Sequence, residues 1–486
     1  MRRHARSRLT LLTVAGALAA AAPALSPAAA ATPVISSGGV YTLTNVHSAK
    51  LMDVQHASAS PGAPVLQWHD NGGANQEWLI TRTSSGSYTL RSANSGLCLD
   101  TPDAANTTPP VQLVQNTCDG STHQQWKVRA LVDGSYTLAN AANGLLADDA
   151  NGSTTDGTAV IQWRANHGAN QHWKLTRLTR VGAYSDGLMA CGQTYGATFH
   201  NQTIRMIAHT SVSGSLPRVR LSNLYGGSPL TVGAVDLAQQ SSTAGTAVAG
   251  THRTVTFKGS SSVTIPVGQD VFSDPVPMGV GADQDLLVSV YLPNSPAGAD
   301  TWHQRARENT WISTTGNHVT DDSTSNYPAT GQQWFVLTGL DVTSPTAAGT
   351  LVAVGDSITD GVGSTPGANH RWPDDLARRM AATSGGTTRG LVDAGIGSNR
   401  ILTDAGTNGY NRSLISRFQH DVLSQPDVKD VVMLEGINDI GDNIGSNGTG
   451  PLTATDLENG MLNVIRQAHA AGVKITGGTI LQRRCV

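Results

Sequence analysis

The spacing of hydrophobic and polar positions divides the chain into segments with different predicted structures. Between about residues 181 and 345, apolar and polar residues alternate with a period of two, as in the run 218–222. Glycine and proline separate these runs, and the combination predicts a sandwich or jelly roll of short strands over 181–345. After residue 350 short apolar strands alternate with segments of helical periodicity, which predicts a parallel α/β sheet.

This last segment gives the most detailed element prediction. We expect strands at 351–354, 391–394, 431–434 and 473–480, and helices at 372–382, 414–423 and 455–471. Residues 343–350 are predicted to be a linker in front of them. In such sheets ligands bind outside the carboxyl ends of the strands, so the residues that follow each strand are the first candidates for chemistry.

Two short motifs recur in phase in the preceding segment. Tyr-Thr-Leu begins at residues 41, 88 and 136, and Gln-x-Trp begins at 76, 124 and 171, so the period is about 47 residues. Units of this size cannot bury their hydrophobic faces alone and must pack together. Three copies predict closure with pseudo-threefold symmetry, with the three Gln-x-Trp tryptophans in the core.

The first thirty residues have the composition of an export signal. Four arginines among residues 2–8 precede the apolar run 9–22, and residues 28–30 are small alanines in front of Ala31. We therefore expect a signal peptide over 1–30 and a secreted, extracellular protein, whose cysteines can oxidise. Pro23 and Pro27 interrupt the alanine-rich stretch, which argues against a membrane anchor, and no later segment is expected to span a bilayer.

Composition excludes several classes of protein. The 486 residues carry a formal charge of −3, and lysine and arginine do not cluster after the first ten positions, so no nucleic-acid partner is expected. A hydrophobic content of 39% excludes disorder for most of the length. The histidines of the middle segment lack metal-ligand spacing, so neither a metal nor a cofactor is predicted; they are His209, His252, His303 and His318.

The Gln-x-Trp repeats resemble those of ricin-type β-trefoil lectins over about residues 40–177. This resemblance implies a carbohydrate-binding β-trefoil domain over 31–178, with an aspartate, an aromatic ring and an Asn-Gln pair in each sugar-binding lobe. An indole ring covers the apolar face of a pyranose, while carboxylate and amide groups bind its hydroxyls. The implied sites are Asp53, Trp68, Asn75 and Gln76 in the first lobe, and Asp148, Trp163, Asn170 and Gln171 in the third.

The second lobe departs from that pattern. Asp100 and Gln124 are present, but Asn116 replaces the ring and His123 replaces the first amide. We therefore expect weak or no sugar binding there. The lobe also contains Cys98 and Cys118, which we expect to form a disulfide, and this indicates a structural role.

The α/β segment carries two motifs that resemble blocks of the Gly-Asp-Ser-Leu, or SGNH, hydrolase superfamily. They are Gly-Asp-Ser-Ile at 355–358, with isoleucine in place of leucine, and Gly-Ile-Asn-Asp at 436–439. The resemblance implies a flavodoxin-like α/β/α hydrolase domain over 350–486, in which Ser357 attacks an ester carbonyl. The oxyanion would bind the Ser357 N–H, the turn at Gly397 and Ser398, and the Asn438 side chain. The alternative for Ser357 is a helix N-cap.

The base that such a serine needs is absent from the expected position. In that family a late Asp-x-x-His block supplies the histidine and aspartate of the triad. After Ser357 the histidines are His370, His420 and His469, none has aspartate three residues before it, and all are expected to be bystanders. The hydrolase domain is therefore predicted to be C-terminally incomplete, with both triad partners missing and Cys485 outside any native disulfide. The state of Cys191 is left open.

Together these features predict a secreted, carbohydrate-binding serine esterase that removes acetyl groups from polysaccharide. Its expected partners are a glycan, bound by the trefoil, and a carboxylic ester. Two alternatives stay open. One is a lectin-like protein with an inactive hydrolase remnant, and the other is a lipase or lysophospholipase of the same superfamily.

Overall fold

A computed structural model describes residues 35–102, 108–190, 198–294, 301–383, 388–404, 411–445, 448 and 450–479. We refer to residues 35–178 as the trefoil domain, 179–346 as the sandwich domain and 347–479 as the α/β domain. The predicted signal peptide, Cys191 and Cys485 lie outside the described residues. Among the described helices, none combines the length and the apolar character needed to cross a lipid bilayer.

The trefoil domain closes on itself, because its first strand pairs with its last. Trp78, Trp126 and Trp173 are fully buried, as predicted. Their indole N–H groups donate to the backbone carbonyls of Met52, Leu99 and Ala147, so the threefold repeat is visible in the core. The strands are β1 (Gly39–Asn45), β2 (Leu51–Val54), β3 (Ala63–Trp68), β4 (Glu77–Arg82), β5 (Tyr88–Ser92), β6 (Cys98–Asp100), β7 (Val111–Gln112), β8 (Val114–Asn116), β9 (Trp126–Ala130), β10 (Tyr136–Asn140), β11 (Leu146–Asp149), β12 (Val160–Trp163) and β13 (Trp173–Arg177).

Short 3-10 helices precede or follow several of these strands. They span Gln55–Ala57, Ala74–Gln76, Thr122–Gln124, Ala150–Gly152 and Ala169–Gln171. The predicted disulfide between Cys98 and Cys118 is confirmed.

The sandwich domain is antiparallel throughout and confirms the alternating pattern. Its strands are β14 (Thr179–Ser185), β15 (Met189–Ala190), β16 (His200–Thr210), β17 (Gly214–Ser222), β18 (Leu230–Val232), β19 (Ala234–Gln239), β20 (Arg253–Val255), β21 (Val263–Ile265), β22 (Asp270–Phe272), β23 (Gly279–Val280), β24 (Gln284–Asn294), β25 (Thr301–His303), β26 (Thr310–Thr315), β27 (Ala329–Gly331), β28 (Trp334–Phe335) and β29 (Leu337–Ser344). One sheet has the order β14-β29-β17-β22 and the other β20-β19-β24-β16-β26-β27. Their apolar side chains share one buried core.

The α/β domain contains the predicted parallel sheet, in the order β31-β30-β32-β33. Its strands are β30 (Ala347–Gly355), β31 (Thr388–Gly395), β32 (Val428–Leu434) and β33 (Lys474–Gly477), and its helices are α1 (Ser357–Asp360), α2 (Trp372–Ala382), α3 (Leu414–Arg417), α4 (Ile437–Asp442) and α5 (Ala454–Ala470). The predicted helix at 414–423 is α-helical only in α3 and continues as a π-helix over Phe418–Leu423.

The predicted linker at 343–350 is wrong. β29 extends to Ser344 and β30 begins at Ala347, so the chain passes almost directly from one sheet into the next. The reason is a buried interface between the two domains, where the Gly182 N–H donates to Thr350 Oγ1 over 2.9 Å and Ser185 Oγ donates to Asp393 O over 3.0 Å. The sandwich and α/β domains are therefore held together by packing and hydrogen bonds.

Candidate functional site

The register of the parallel sheet brings the two hydrolase-like motifs to one edge. Gly355 at the end of β30 pairs with Gly395 on one side and with Leu434 on the other. The turns that carry Ser357, Gly397 and Asn438 therefore all start from the same edge of the sheet. Asn438 Nδ2 donates to Asn399 O over 2.8 Å, which joins the turn after β32 to the turn after β31.

Ser357 is the first residue of α1, and Asp356 is its N-cap. Asp356 Oδ1 accepts from the Ile358 N–H over 2.9 Å, so the cap role considered for Ser357 falls to its neighbour. The Ser357 side chain is half-buried, and in the described part of the chain its hydroxyl has no hydrogen-bond partner. It is free to meet a ligand.

The turn after β31 contains a backbone conformation that favours glycine. Ser398 has φ +61°, in the left-handed region, and its side chain is exposed. This conformation costs a residue with a Cβ roughly 1–2 kcal/mol relative to glycine.

Two buried charged residues hold this turn, and the motifs gave no role to either. Arg417 donates to Ala394 O over 2.7 Å and to Asn399 Oδ1 over 2.8 Å. Asp439, inside the second motif, accepts from the N–H groups of Ile401 and Leu402. Asp439 could have been suspected from its motif, whereas Arg417 had no sequence signal beyond a charge in a predicted helix.

A cavity of about 290 Å³ adjoins Ser357 and is built by two domains. The α/β domain contributes Ser357 together with Asp360, Val362, Gly397 and Ser398, and the sandwich domain contributes Met189, His303, Gln304 and Arg305. The sequence assigned no site residue to the sandwich domain, and its interface with the α/β domain is what brings these side chains here.

His303, one of the middle-segment histidines without metal-ligand spacing, is buried in the wall of this cavity. Its Nδ1 donates to Gly187 O over 2.6 Å and its Nε2 donates to Arg305 O over 3.2 Å. Burial alone would lower its pKa, but Asp186 and Asp360 raise it to about 10. Because both ring nitrogens donate to carbonyl oxygens, neither has a free lone pair that could take the proton of Ser357.

The histidines that follow Ser357 in the sequence do not line the cavity. His370 is exposed and pairs with Asp375, His469 is exposed on α5, and both nitrogens of His420 bond to carboxylates. The described residues thus supply no histidine base for Ser357. They also contain no group of three histidine, cysteine or acidic residues placed to hold a metal ion.

In the first lobe of the trefoil domain, three of the four implied sugar ligands line one cavity. Asp53, Trp68 and Asn75 surround about 300 Å³ together with Asn71. Burial raises the pKa of Asp53 to about 6, although hydrogen bonds from Gln76 and Asn75 oppose the shift. Gln76 stands behind the site, because its amide donates to His69 O and accepts from the Asn71 N–H.

The third lobe repeats this arrangement. Asp148, Trp163 and Asn170 line a cavity of about 530 Å³, and the Trp163 ring is 37% exposed. Gln171 again lies behind, donating to Asp148 Oδ2 over 2.7 Å. Asn166 lines this cavity as Asn71 lines the first, five residues before the glutamine in both lobes, so an alignment of the repeats could have found the pair.

The second lobe is closed by its own side chains. His123 donates to Asp100 Oδ1 over 2.6 Å, while Asn116 and Gln124 both donate to Asp100 Oδ2. With both carboxylate oxygens occupied, Asp100 has little capacity left for a hydroxyl ligand.

Family models agree with this division of the chain. The description "Ricin-type beta-trefoil lectin domain-like" matches residues 34–116, 103–163 and 122–185. The description "GDSL-like Lipase/Acylhydrolase family" matches residues 353–484. The chain joins a ricin-type lectin-like domain to a GDSL-like hydrolase domain. The trefoil domain is thus the lectin-like part, and the α/β domain is the GDSL-like part.

Several solved structures are similar to part of the chain. The designed three-fold symmetric protein ThreeFoil is 39% identical over 28% of this chain and 98% of its own, with a TM-score of 0.28. An exo-beta-1,3-galactanase from Clostridium thermocellum is 34% identical over 30% of this chain and 31% of its own, with a TM-score of 0.29. The ricin B-like lectin of Macrolepiota procera, solved with lactose, is 25% identical over 30% of this chain and 99% of its own, with a TM-score of 0.26. No curated protein matches the chain.

Proposed function

We propose that the protein is an exported serine esterase that binds polysaccharide through its trefoil domain and removes acetyl groups at Ser357. The observation that carries this proposal is the register of β30, β31 and β32, which places Ser357, the Gly397–Ser398 turn and Asn438 at one edge of the sheet. Nucleophile and oxyanion donors must share such an edge for acyl transfer.

In the proposed reaction Ser357 Oγ bonds to the ester carbonyl carbon and its proton leaves to a base. The carbonyl oxygen becomes an oxyanion that accepts hydrogen bonds from the Ser357 N–H, the turn after β31 and Asn438 Nδ2. Collapse breaks the ester C–O bond, and the sugar oxygen leaves with the proton held by the base. Water then attacks the acyl-serine carbonyl, passes a proton through the base to Ser357 Oγ and releases the free acid. Since the described histidines cannot act as the base, these residues alone would sustain only slow turnover.

The size of the cavity favours a small acyl group. About 290 Å³ lies at the lower end of the range of ligand pockets, and the sandwich domain supplies polar walls through Gln304 and Arg305. Such walls suit a sugar hydroxyl beside a short acyl chain. Acetyl esters of glycans therefore fit better than long-chain esters.

The trefoil domain would hold the glycan on which the esterase acts. Its two open lobes each combine an indole ring, a carboxylate and an amide around a cavity, which is the chemistry that recognises a pyranose. Export is supported by the composition of residues 1–30 and by the Cys98–Cys118 disulfide, a bond typical of oxidising compartments.

The test is hydrolysis of p-nitrophenyl acetate by the full chain beside Ser357→Ala. Ser242→Ala, an exposed serine of the sandwich domain, is the matched control. We expect turnover that is lost in Ser357→Ala and retained in the control. Equal turnover in all three proteins would contradict the esterase and, with glycan binding retained, would favour a lectin with an inactive hydrolase remnant.

One observation favours a second candidate, a lipase or lysophospholipase. Three apolar side chains in the turns after β30 and β32 are exposed: Ile358 by 42%, Val362 by 50% and Ile440 by 46%. An apolar rim of this kind could contact acyl chains or a lipid surface. Ser357-dependent hydrolysis of p-nitrophenyl palmitate faster than of the acetate would favour this candidate over the deacetylase.

A further inference from the structure

His420 is held between two carboxylates that belong to different domains. Its Nε2 donates to Asp270 Oδ2 of the sandwich domain over 2.8 Å, and its Nδ1 donates to Asp421 Oδ1 over 2.7 Å. Because both nitrogens donate, the ring is an imidazolium. His420 does not line the Ser357 cavity, as expected of a residue that is not the catalytic base, but the domain interface gives it two charged partners.

The second oxygen of Asp421 continues the connection toward the site. Asp421 Oδ2 accepts from Arg417 Nη1 over 3.0 Å, and the Arg417 side chain is 1% exposed. Arg417 also donates to Gly355 O over 3.1 Å and to Ala394 O over 2.7 Å. It thus binds carbonyls at the ends of β30 and β31, directly before the turns that carry Ser357 and Gly397.

The charged groups around His420 form ion pairs that stabilise this connection. Arg220 Nη2 lies 2.6 Å from Asp270 Oδ2 and 3.4 Å from His420 Nε2. Asp270 therefore forms ion pairs with both Arg220 and His420. Burial alone would raise the pKa of Asp270, but His420 and Arg220 lower it to about 2. Burial would lower the pKa of His420, but Asp270 and Asp421 raise it to about 9. All members of the network are thus charged at neutral pH.

We propose that Asp270 and His420 are positioning residues for the Ser357 cleft, acting through Asp421 and Arg417 on the strand ends that precede the oxyanion turns. The catalytic part of this inference rests on the proposed esterase function. By this route the sandwich domain does more than form a wall of the cavity, because it also holds the geometry of the donors. A shift of about 1 Å in such a turn can cost roughly 100-fold in rate, so a remote network can control turnover.

The experiment uses the full chain with Asp270→Asn and His420→Gln, and with His469→Gln as the matched control on exposed α5. Hydrogen exchange by mass spectrometry follows the peptide over 394–401, whose Ile396 N–H donates to Gly355 O over 3.0 Å. We expect exchange of this peptide to accelerate about tenfold in both network variants, while peptides from β16 and β19 stay protected. Asp270→Glu, which keeps the charge, should restore part of the protection.

In the same proteins kcat for p-nitrophenyl acetate should fall about 10- to 100-fold, with KM changed less than about twofold, because the oxyanion turn moves while the part of the cavity wall formed by the sandwich domain does not. Unchanged exchange over 394–401 would overturn the proposal, and so would loss of protection that extends equally to β16 and β19. If the parent chain shows no Ser357-dependent turnover, the esterase function fails while hydrogen exchange still decides the positioning role.

Discussion

His303 Nε2 lies 3.4 Å from Asp360 Oδ1, so a histidine of the sandwich domain touches the helix that begins with Ser357. A histidine in that place suggests a catalytic base. Its hydrogen bonds exclude the role, because both ring nitrogens donate to backbone carbonyls. The ring instead acts as a buried cation between Asp186 and Asp360.

This arrangement predicts a stability that depends on pH. The pKa of His303 is raised from an ordinary 6.5 to about 10, so its contribution is fully present below about pH 6.5 and is lost as the pH rises through about 10. Urea unfolding of the sandwich and α/β domains should show a falling free energy across this window. In His303→Gln the domains should be less stable at pH 7 and the fall with pH smaller; an unchanged slope would contradict the assignment.

Glu77 predicts a second pH effect, at the contact between the trefoil and sandwich domains. Ser215 Oγ donates to Glu77 Oε2, and burial raises the pKa of Glu77 from 4.5 to about 8. The contribution of the protonated acid is fully present below about pH 4.5 and disappears as the pH rises through about 8. Glu77→Gln should therefore gain stability relative to the parent chain between pH 5 and pH 8, as measured by thermal unfolding. A constant difference across that range would refute this.

Ser398 offers a test of the strain in the turn after β31. Glycine at this position should relieve the left-handed conformation, offset in part by the greater entropy of the unfolded chain. Ser398→Gly is expected to raise the unfolding free energy of the α/β domain by about 0.5–1 kcal/mol. Ser242→Gly, at an exposed position, provides the comparison, and a loss of stability in Ser398→Gly would show that the strain argument fails.

The two open lobes of the trefoil domain predict additive sugar binding. Trp68→Ala and Trp163→Ala should each weaken retention on xylan or galactose resin by about tenfold, because the indole supplies the stacking surface. Asn116→Ala in the closed second lobe should leave retention unchanged. Full retention of the double tryptophan variant would exclude both sites.

The repeats were sufficient to predict the trefoil domain and most of the named residues that line its two cavities. The core contains Trp78, Trp126 and Trp173, because corresponding positions of a symmetric repeat have the same surroundings in each lobe. Comparison of the repeats also predicted weak or no sugar binding in the second lobe, where Asn116 and His123 hydrogen-bond to Asp100. It did not separate Asn75, which lines the cavity, from Gln76, which lies behind it, because only the tertiary structure shows which side chain faces the cavity.

In the α/β domain, local pattern determined the elements, and α2 spans the predicted residues 372–382. It also determined which strand ends carry Ser357 and Asn438, because a strand end is fixed by nearby sequence. His303 and Arg305, which form the wall, lie more than fifty positions before Ser357, and Asp270 lies 150 positions before His420. Such pairings leave no periodicity in a single chain, so only the packing of the sandwich domain on the parallel sheet decided them.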